Sequence, residues 1–108
     1  MKILYNITIK IETASQPEWL EWMKNVHIPE VMATGCFESY RLTRILGDDD
    51  EHGIGYAVQY IAPDMHAFEN YQQRYANDLQ KAHAERYINK YVAFRTLMQI
   101  EAENYIFG

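Results

Sequence analysis

His27 is the residue whose type and setting most invite chemistry. It stands two residues before Pro29 on an amphipathic stretch, on or beside its inward face. Pro29 has no backbone N–H and pushes Ile28 away from helical angles, so a kink near His27–Pro29 is expected. An imidazole there suits a general base or a polar anchor for a small ligand held between helix and sheet. A histidine that bonds backbone at the kink and fixes its angle explains the residue as well. His83, followed by Glu85 and Arg86 near the end of a second amphipathic stretch, is the next candidate. It falls four residues after Leu79 and so lies near the buried side, although a cation close to a helix C-terminus needs no function to be favourable. Arg41, Arg95 and Gln59, with Asn6 and Thr8, are expected on the sheet face away from the helices. Guanidiniums facing inward need carboxylates or a bound anion, which suits a polar interior holding an acidic or phenolic small molecule. Salt bridges to acidic residues of the same or a partner subunit are the plainer explanation. Trp22, Tyr and Met side chains would line such a cavity.

Other chemistries are poorly provided for. His27, His52, His66 and His83 show no H-x₃-H pair, and one cysteine excludes a Cys₂ or Cys₄ zinc site. From Asp48 the acidic run echoes a calcium loop, but position 12 is Gln59, where a bidentate Glu is needed. Cys36 follows a glycine at a strand start and reads as a small buried hydrophobe. There is no nucleophile elbow, phosphate loop or dinucleotide fingerprint. No metal and no cofactor are expected.

The elements that must position these residues read clearly. Ile3, Tyr5, Ile7, Ile9 and Ile11 alternate with Leu4, Asn6, Thr8, Lys10 and Glu12, as a half-buried strand does. Ser15-Gln16-Pro17-Glu18 then opens a helix with a capping box between Ser15 and Glu18. Trp19, Trp22, Met23 and Val26 should face the sheet. A further turn runs to Thr34, and Gly35 closes it as a left-handed cap. Strand two is expected from about Cys36 to Leu46 and strand three from about Ile54 to Ala62, joined by the solvated acidic turn Asp48–Glu51. Asp64 caps a second helix to Arg86 with Phe68, Tyr71, Tyr75, Leu79 and Ala82 on its apolar side. Strand four follows from Tyr91 to Ile100.

The order β-α-β-β-α-β is the ferredoxin-like α+β arrangement: a four-stranded antiparallel sheet with two helices on one face, one domain over 1–108. The helix-covered face is expected to carry Tyr40 and Leu42, then Tyr56, Val58 and Tyr60, then Val92, Phe94, Met98 and Ile100. Leu4, Phe37, Arg41, Ile45, Ala57, Gln59, Ile61, Tyr91, Ala93, Arg95 and Leu97 are expected opposite. That second face is too apolar to be left in water, which favours a homodimer built sheet to sheet. The terminal Ile106 and Phe107 are expected to pack on the partner or near the kink.

Composition narrows the partners. Ten basic against fifteen acidic residues give a net charge of −5, and the basic residues are scattered, unlike the stripe that neutralises phosphates. No apolar run approaches the ~18 residues a membrane helix needs, and the start turns polar too soon for a signal peptide. With a lone Cys36, the expected setting is a reducing cytoplasm.

Tyr5-Asn6-Ile7-Thr8, Trp19-Leu20-Glu21-Trp22-Met23, the run from His27 to Gly35, Tyr56-Ala57-Val58-Gln59-Tyr60, His83-Ala84-Glu85-Arg86 and Val92-Ala93-Phe94-Arg95-Thr96 together resemble a bacterial domain-of-unknown-function family, over about residues 3–101. More distantly, the helix-one tryptophan followed by His-x-Pro is similar to the dimeric α/β-barrel superfamily, with its EthD-like proteins, antibiotic-biosynthesis monooxygenases and muconolactone isomerases. The resemblance implies a ferredoxin-like protomer and facing sheets in a dimer, and assigns no activity. Two functions follow as expectations. One is a dimeric module that binds a small organic molecule without turnover. The other is a cofactor-independent monooxygenase or isomerase using His27.

Overall fold

The computed structural model describes residues 1–104; the expectation for Ile106 and Phe107 lies outside the described residues. Four strands, β1 (Ile3–Ile11), β2 (Ser39–Arg44), β3 (Ile54–Ala62) and β4 (Tyr91–Gln99), form one antiparallel sheet in the order β2-β3-β1-β4. Between β1 and β2 run α1 (Gln16–Trp22), a π-helical turn (Met23–His27) and α2 (Ile28–Ala33). Between β3 and β4 run α3 (Met65–Arg74) and α4 (Ala76–Arg86). This is the ferredoxin-like α+β fold. The strands form where alternation is clean: Tyr5, Ile9 and Ile11 of β1 and Tyr56, Val58 and Tyr60 of β3 are buried under the helices.

Register fixes the faces. Ile9 pairs with Tyr56 and Ala93, and Ile7 with Val58 and Arg95, so Tyr91, Ala93, Arg95 and Leu97 share the helix side with these residues. The expectation for β4 was therefore inverted. Val92, Phe94 and Met98 lie on the outer face, with Val92 70% and Phe94 63% exposed. Both faces of Tyr91–Gln99 are about equally apolar, so the alternation alone leaves a one-residue slip undecided, and such a slip exchanges every side chain. Pairing to β1 decides it. Leu4, Arg41, Ala57, Gln59 and Ile61 lie on the outer face as expected, by their pairing with Met98 and with each other. Phe37 does not: it precedes β2 and is buried, packed 4.8 Å from Tyr71 and 5.1 Å from Tyr60.

Three local expectations give way to competing contacts. Ser15 makes no cap to Glu18; its hydroxyl donates to Glu12 Oε2 at 3.0 Å, within a short 3₁₀ turn over Thr13–Ser15. Glu18 accepts from Tyr87 Oη instead. The second helix breaks at Tyr75 (φ −125°, ψ −30°), which turns Ala82 outward and leaves His83 buried. Strand two is shorter than expected, since Cys36 and Phe37 leave the ladder to fill the core. Other signals hold: Asp64 Oδ1 accepts from the Ala67 backbone N–H at 2.8 Å, and Gly35 ends α2 with φ 76°.

A candidate ligand cavity between helices and sheet

Contrary to expectation Ile28 keeps helical angles (φ −62°, ψ −44°), and the irregularity before Pro29 takes the form of the π-helical turn instead of a break. The Ile28 N–H reaches back five residues to the Met23 carbonyl, and Pro29, lacking an N–H, follows in the first turn of α2. The wider turn moves the inward face on by one residue. Trp19 and Met23 are buried as expected, Val26 is turned out at 40% exposure, and His27 is carried inward to 9%. The π turn is thus what places an imidazole over the sheet.

His27 and His83 meet there, their ring centroids 5.7 Å apart. Trp22 stacks on His27 at 4.9 Å with planes 21° apart, and Tyr91 stands edge-on to His83 at 4.5 Å. The buried Trp19 indole N–H donates to His83 Nε2 at 2.9 Å. That bond holds His83 as the neutral tautomer with its proton on Nδ1. His27 Nδ1 is buried and has no hydrogen-bond partner among the described residues. Burial lowers His27 to about 4; burial first, then the neighbouring His27 and the Arg95 charge, lower His83 to about 4. Both are neutral at pH 7.

The two histidines open on a cavity of about 40 Å³ bounded below by Ile7, Val58 and Ala93. A volume of about 10–15 Å³ admits one water, so the space suits roughly three waters or a small headgroup. Met23 forms part of the wall, a flexible side chain that yields readily to a larger guest. Polar atoms reach the cavity from every element around it: Tyr5 of β1, Tyr60 of β3, Tyr71 of α3, Gln80 of α4 and Arg95 of β4. The Tyr5 hydroxyl accepts from Gln80 Nε2 at 3.5 Å and from the Arg95 side chain. Burial pushes the Tyr5, Tyr60 and Tyr71 phenols up, so they too stay neutral. Arg95 is exposed at the edge and is the one permanent charge of the lining among the described residues.

A surface brace closes the Trp22 side. Arg86 lies over the Trp22 ring at 5.2 Å and the Tyr87 ring at 5.8 Å while it pairs with Glu18. Tyr87 Oη donates to Glu18 Oε2 at 2.6 Å, and burial followed by the Glu18 carboxylate pushes this phenol up to about 12. Glu85 instead faces Lys81 on the exposed side of α4, at 3.8 Å.

Of the residues singled out by sequence, His27, His83 and Arg95 line this one cavity, whereas Trp22, expected in the lining, stacks on His27 and is not part of it. Arg41 and Gln59 do not belong to it. They lie through the sheet, in an open outer depression of about 800 Å³ that also involves Leu4, Ile61 and Met98. Asn6 and Thr8 are on that outer face as well, Asn6 Nδ2 donating to Thr8 Oγ1 at 3.0 Å. Sequence reasoning left out Trp19 as a partner of His83, and Tyr5, Tyr71 and Gln80 as lining. The Trp19–His83 pair is 64 residues apart, and only the fold brings it together. Among the described residues no three His, Cys, Asp or Glu side chains are grouped to hold a metal ion, and no helix is long and apolar enough to cross a membrane.

The fold recurs in solved structures of low sequence identity. A dimeric ferredoxin-like protein from an uncultured marine organism is 10% identical over 95% of this chain and 98% of that one, with a TM-score of 0.76. HapK from Hahella chejuensis is 11% identical over 100% of both chains, with a TM-score of 0.70. SnoaB, a cofactor-independent oxygenase from Streptomyces nogalater, is 16% identical over 94% and 95%, with a TM-score of 0.69. Identities this low speak for the fold alone. No curated protein matches in sequence. Residues 2–101 match a domain of unknown function, and the chain belongs to that family, DUF4286.

Proposed function

We propose that the chain, one domain over residues 1–108, binds a small organic molecule in the cavity between helices and sheet and acts as a homodimer joined through its outer sheet faces. The observation that carries the binding reading is His27, a residue of the cavity lining whose Nδ1 is buried and has no hydrogen-bond partner among the described residues. More than about nine in ten buried polar groups find a partner, and leaving one without costs about 1–3 kcal/mol. A ligand atom that bonds His27 recovers that cost, which supports a built binding position. Arg95, His83, Gln80 and Tyr5 supply orienting contacts, and Ile7, Val58 and Ala93 accept an apolar body. The dimer is supported by the exposed Val92, Phe94 and Met98 on a face that carries no helix. The one described cysteine, Cys36, is free and buried, which accords with the cytoplasm.

A second reading has one observation in its favour. A neutral imidazole with an unpartnered ring nitrogen is competent to accept a proton, as a cofactor-independent monooxygenase or isomerase would need. Among the described residues no carboxylate orients His27, so binding without turnover is the stronger of the two.

A thermal-shift screen of metabolites against wild type and His27→Ala tests the binding reading. Compounds that raise the wild-type melting temperature by several degrees and lose that effect in the variant are expected. A screen in which every stabilising compound acts equally on both proteins refutes it.

A further inference from the structure

We propose that the ligand of this cavity is a small organic carboxylate, met by the Arg95 guanidinium at the cavity edge and by His27 inside, and that one proton is taken up with it. This rests on the binding reading above and adds the charge of the ligand and its linkage to protons.

The charges around the cavity carry the argument. Arg95 is a permanent cation in the lining, and among the described residues no Asp or Glu lines it. The ion pairs of the described residues engage Lys2, Lys10, Arg44, Lys81 and Arg86 but not Arg95. The Arg95 side chain meets the Tyr5 hydroxyl, a neutral acceptor that leaves its charge uncompensated. A planar guanidinium at the edge and an imidazole in the same lining can each take an oxygen of a carboxylate. The apolar floor then faces the body of the acid. A fully apolar guest would leave Arg95 and His27 as they are and gain nothing from either.

The proton follows from the same geometry. The groups facing the two histidines are the phenols of Tyr5 (β1), Tyr60 (β3), Tyr71 (α3), Tyr87 (after α4) and Tyr91 (β4), with Arg95 as the cation; farther out, beyond the Trp22 and Tyr87 rings, Glu18 is held by Arg86 and the Tyr87 hydroxyl. None of the facing groups is an anion that would favour an imidazolium, and His27 is held neutral by burial. A carboxylate beside it reverses that balance, since an opposite charge within ~4–6 Å favours the protonated ring. His27 then donates to the ligand, and its orphan nitrogen is satisfied. Binding that takes up one proton strengthens by about tenfold for each unit of pH lowered, between the free and bound ionisation ranges of His27.

The experiment titrates labelled full-length protein with benzoate, and separately with benzyl alcohol, from pH 7.5 to 5.5. The readouts are the Trp19 indole N–H resonance, which reports His83, the imidazole resonances of His27, and calorimetry in buffers of different ionisation enthalpy. Benzoate is expected to shift both sets of resonances, to bind more tightly as pH falls, and to bring about one proton with it. Arg95→Gln, at an exposed position that keeps the fold, should weaken benzoate at least tenfold, with partial recovery in Arg95→Lys. His27→Phe should abolish the pH slope. Equal shifts by benzyl alcohol overturn the carboxylate proposal while leaving the binding reading intact. Benzoate binding without proton uptake overturns the linkage. No shift by benzoate at any pH overturns the whole inference, and the metabolite screen then judges the binding reading separately.

Discussion

Replacing Trp19 by Phe tests whether the buried indole–imidazole bond organises the site. Trp19 is fully buried, and its N–H is the donor to His83 Nε2 at 2.9 Å. Phe keeps most of the apolar ring but deletes the donor. Burying His83 Nε2 without a partner costs about 1–3 kcal/mol. The smaller ring adds about 1 kcal/mol through incomplete collapse of the space left behind. The expected loss is about 2–4 kcal/mol, large against the roughly 5–15 kcal/mol of a typical domain, yet compatible with a folded protein. His83→Leu makes the reciprocal orphan of the indole N–H and should cost about 1–3 kcal/mol. The double variant leaves neither group unpaired, so its loss should fall short of the sum by about 1–2 kcal/mol.

Urea unfolding followed by far-ultraviolet circular dichroism measures all four proteins, because the fluorescence of the remaining Trp22 would not be comparable among them. A histidine titration by NMR adds a second readout. In Trp19→Phe the bond that favours neutral His83 is gone, so its ionisation should move up from about 4 toward 6.5. The move should be partial, since burial is the first cause of the lowering. Additivity within about 0.5 kcal/mol would mean that the two side chains do not cooperate. The reasoning about the fixed tautomer would then fail with it.

Acid should destabilise the fold in a defined window. His27 and His83 ionise at about 4 in the fold against a usual 6.5, so the unfolded chain binds more protons between these values. Their contribution is complete above pH 6.5, falls as pH drops toward 4, and is lost below it; at about 1.4 kcal/mol per unit this is at most about 3 kcal/mol for each ring. Urea midpoints that stay level from pH 7 to 4.5 would contradict it. On the outer face, Phe94→Glu should shift the dimer toward monomer in light scattering, whereas Leu97, on the helix side, is the wrong position for that test. A dimer of unchanged stability in Phe94→Glu would place the interface elsewhere. Pro29→Ala restores an N–H at the π turn and should let the helix regularise, moving His27; a His27 imidazole environment unchanged by NMR would show that packing against Trp22 holds the ring without the proline.

What was legible in the sequence follows from how strongly each signal is over-determined. The bounds of β3 were readable to the residue, because Ile54–Ala62 alternates large apolar groups with small or polar ones and sits between turn signals. On β4 the same rule had nothing to choose between, with Val92, Phe94 and Met98 on one face and Tyr91, Ala93 and Leu97 on the other. Arg95 marks the difference: the alternation grouped it with Arg41 and Gln59 on the face away from the helices, yet register pairs it with Ile7 and places it at the cavity edge. A polar residue that breaks the pattern of a buried face is what a binding position looks like from sequence, and the sequence marks Arg95 as one, though on the opposite face of the sheet. His27 shows the same logic on the helix. Helical spacing from Trp19 and Met23 points to Val26 as readily as to His27, and the extra residue of the π turn decides for His27. Pro29 signalled that the helix would depart from regularity there, but not in which sense. A break would have freed the imidazole toward solvent. A widened turn keeps the helix intact and aims it at the sheet, so the one irregularity of the first helix and the one unpartnered buried side-chain atom among the described residues coincide. That coincidence, rather than the histidine alone, is the reason to look for a ligand at this position.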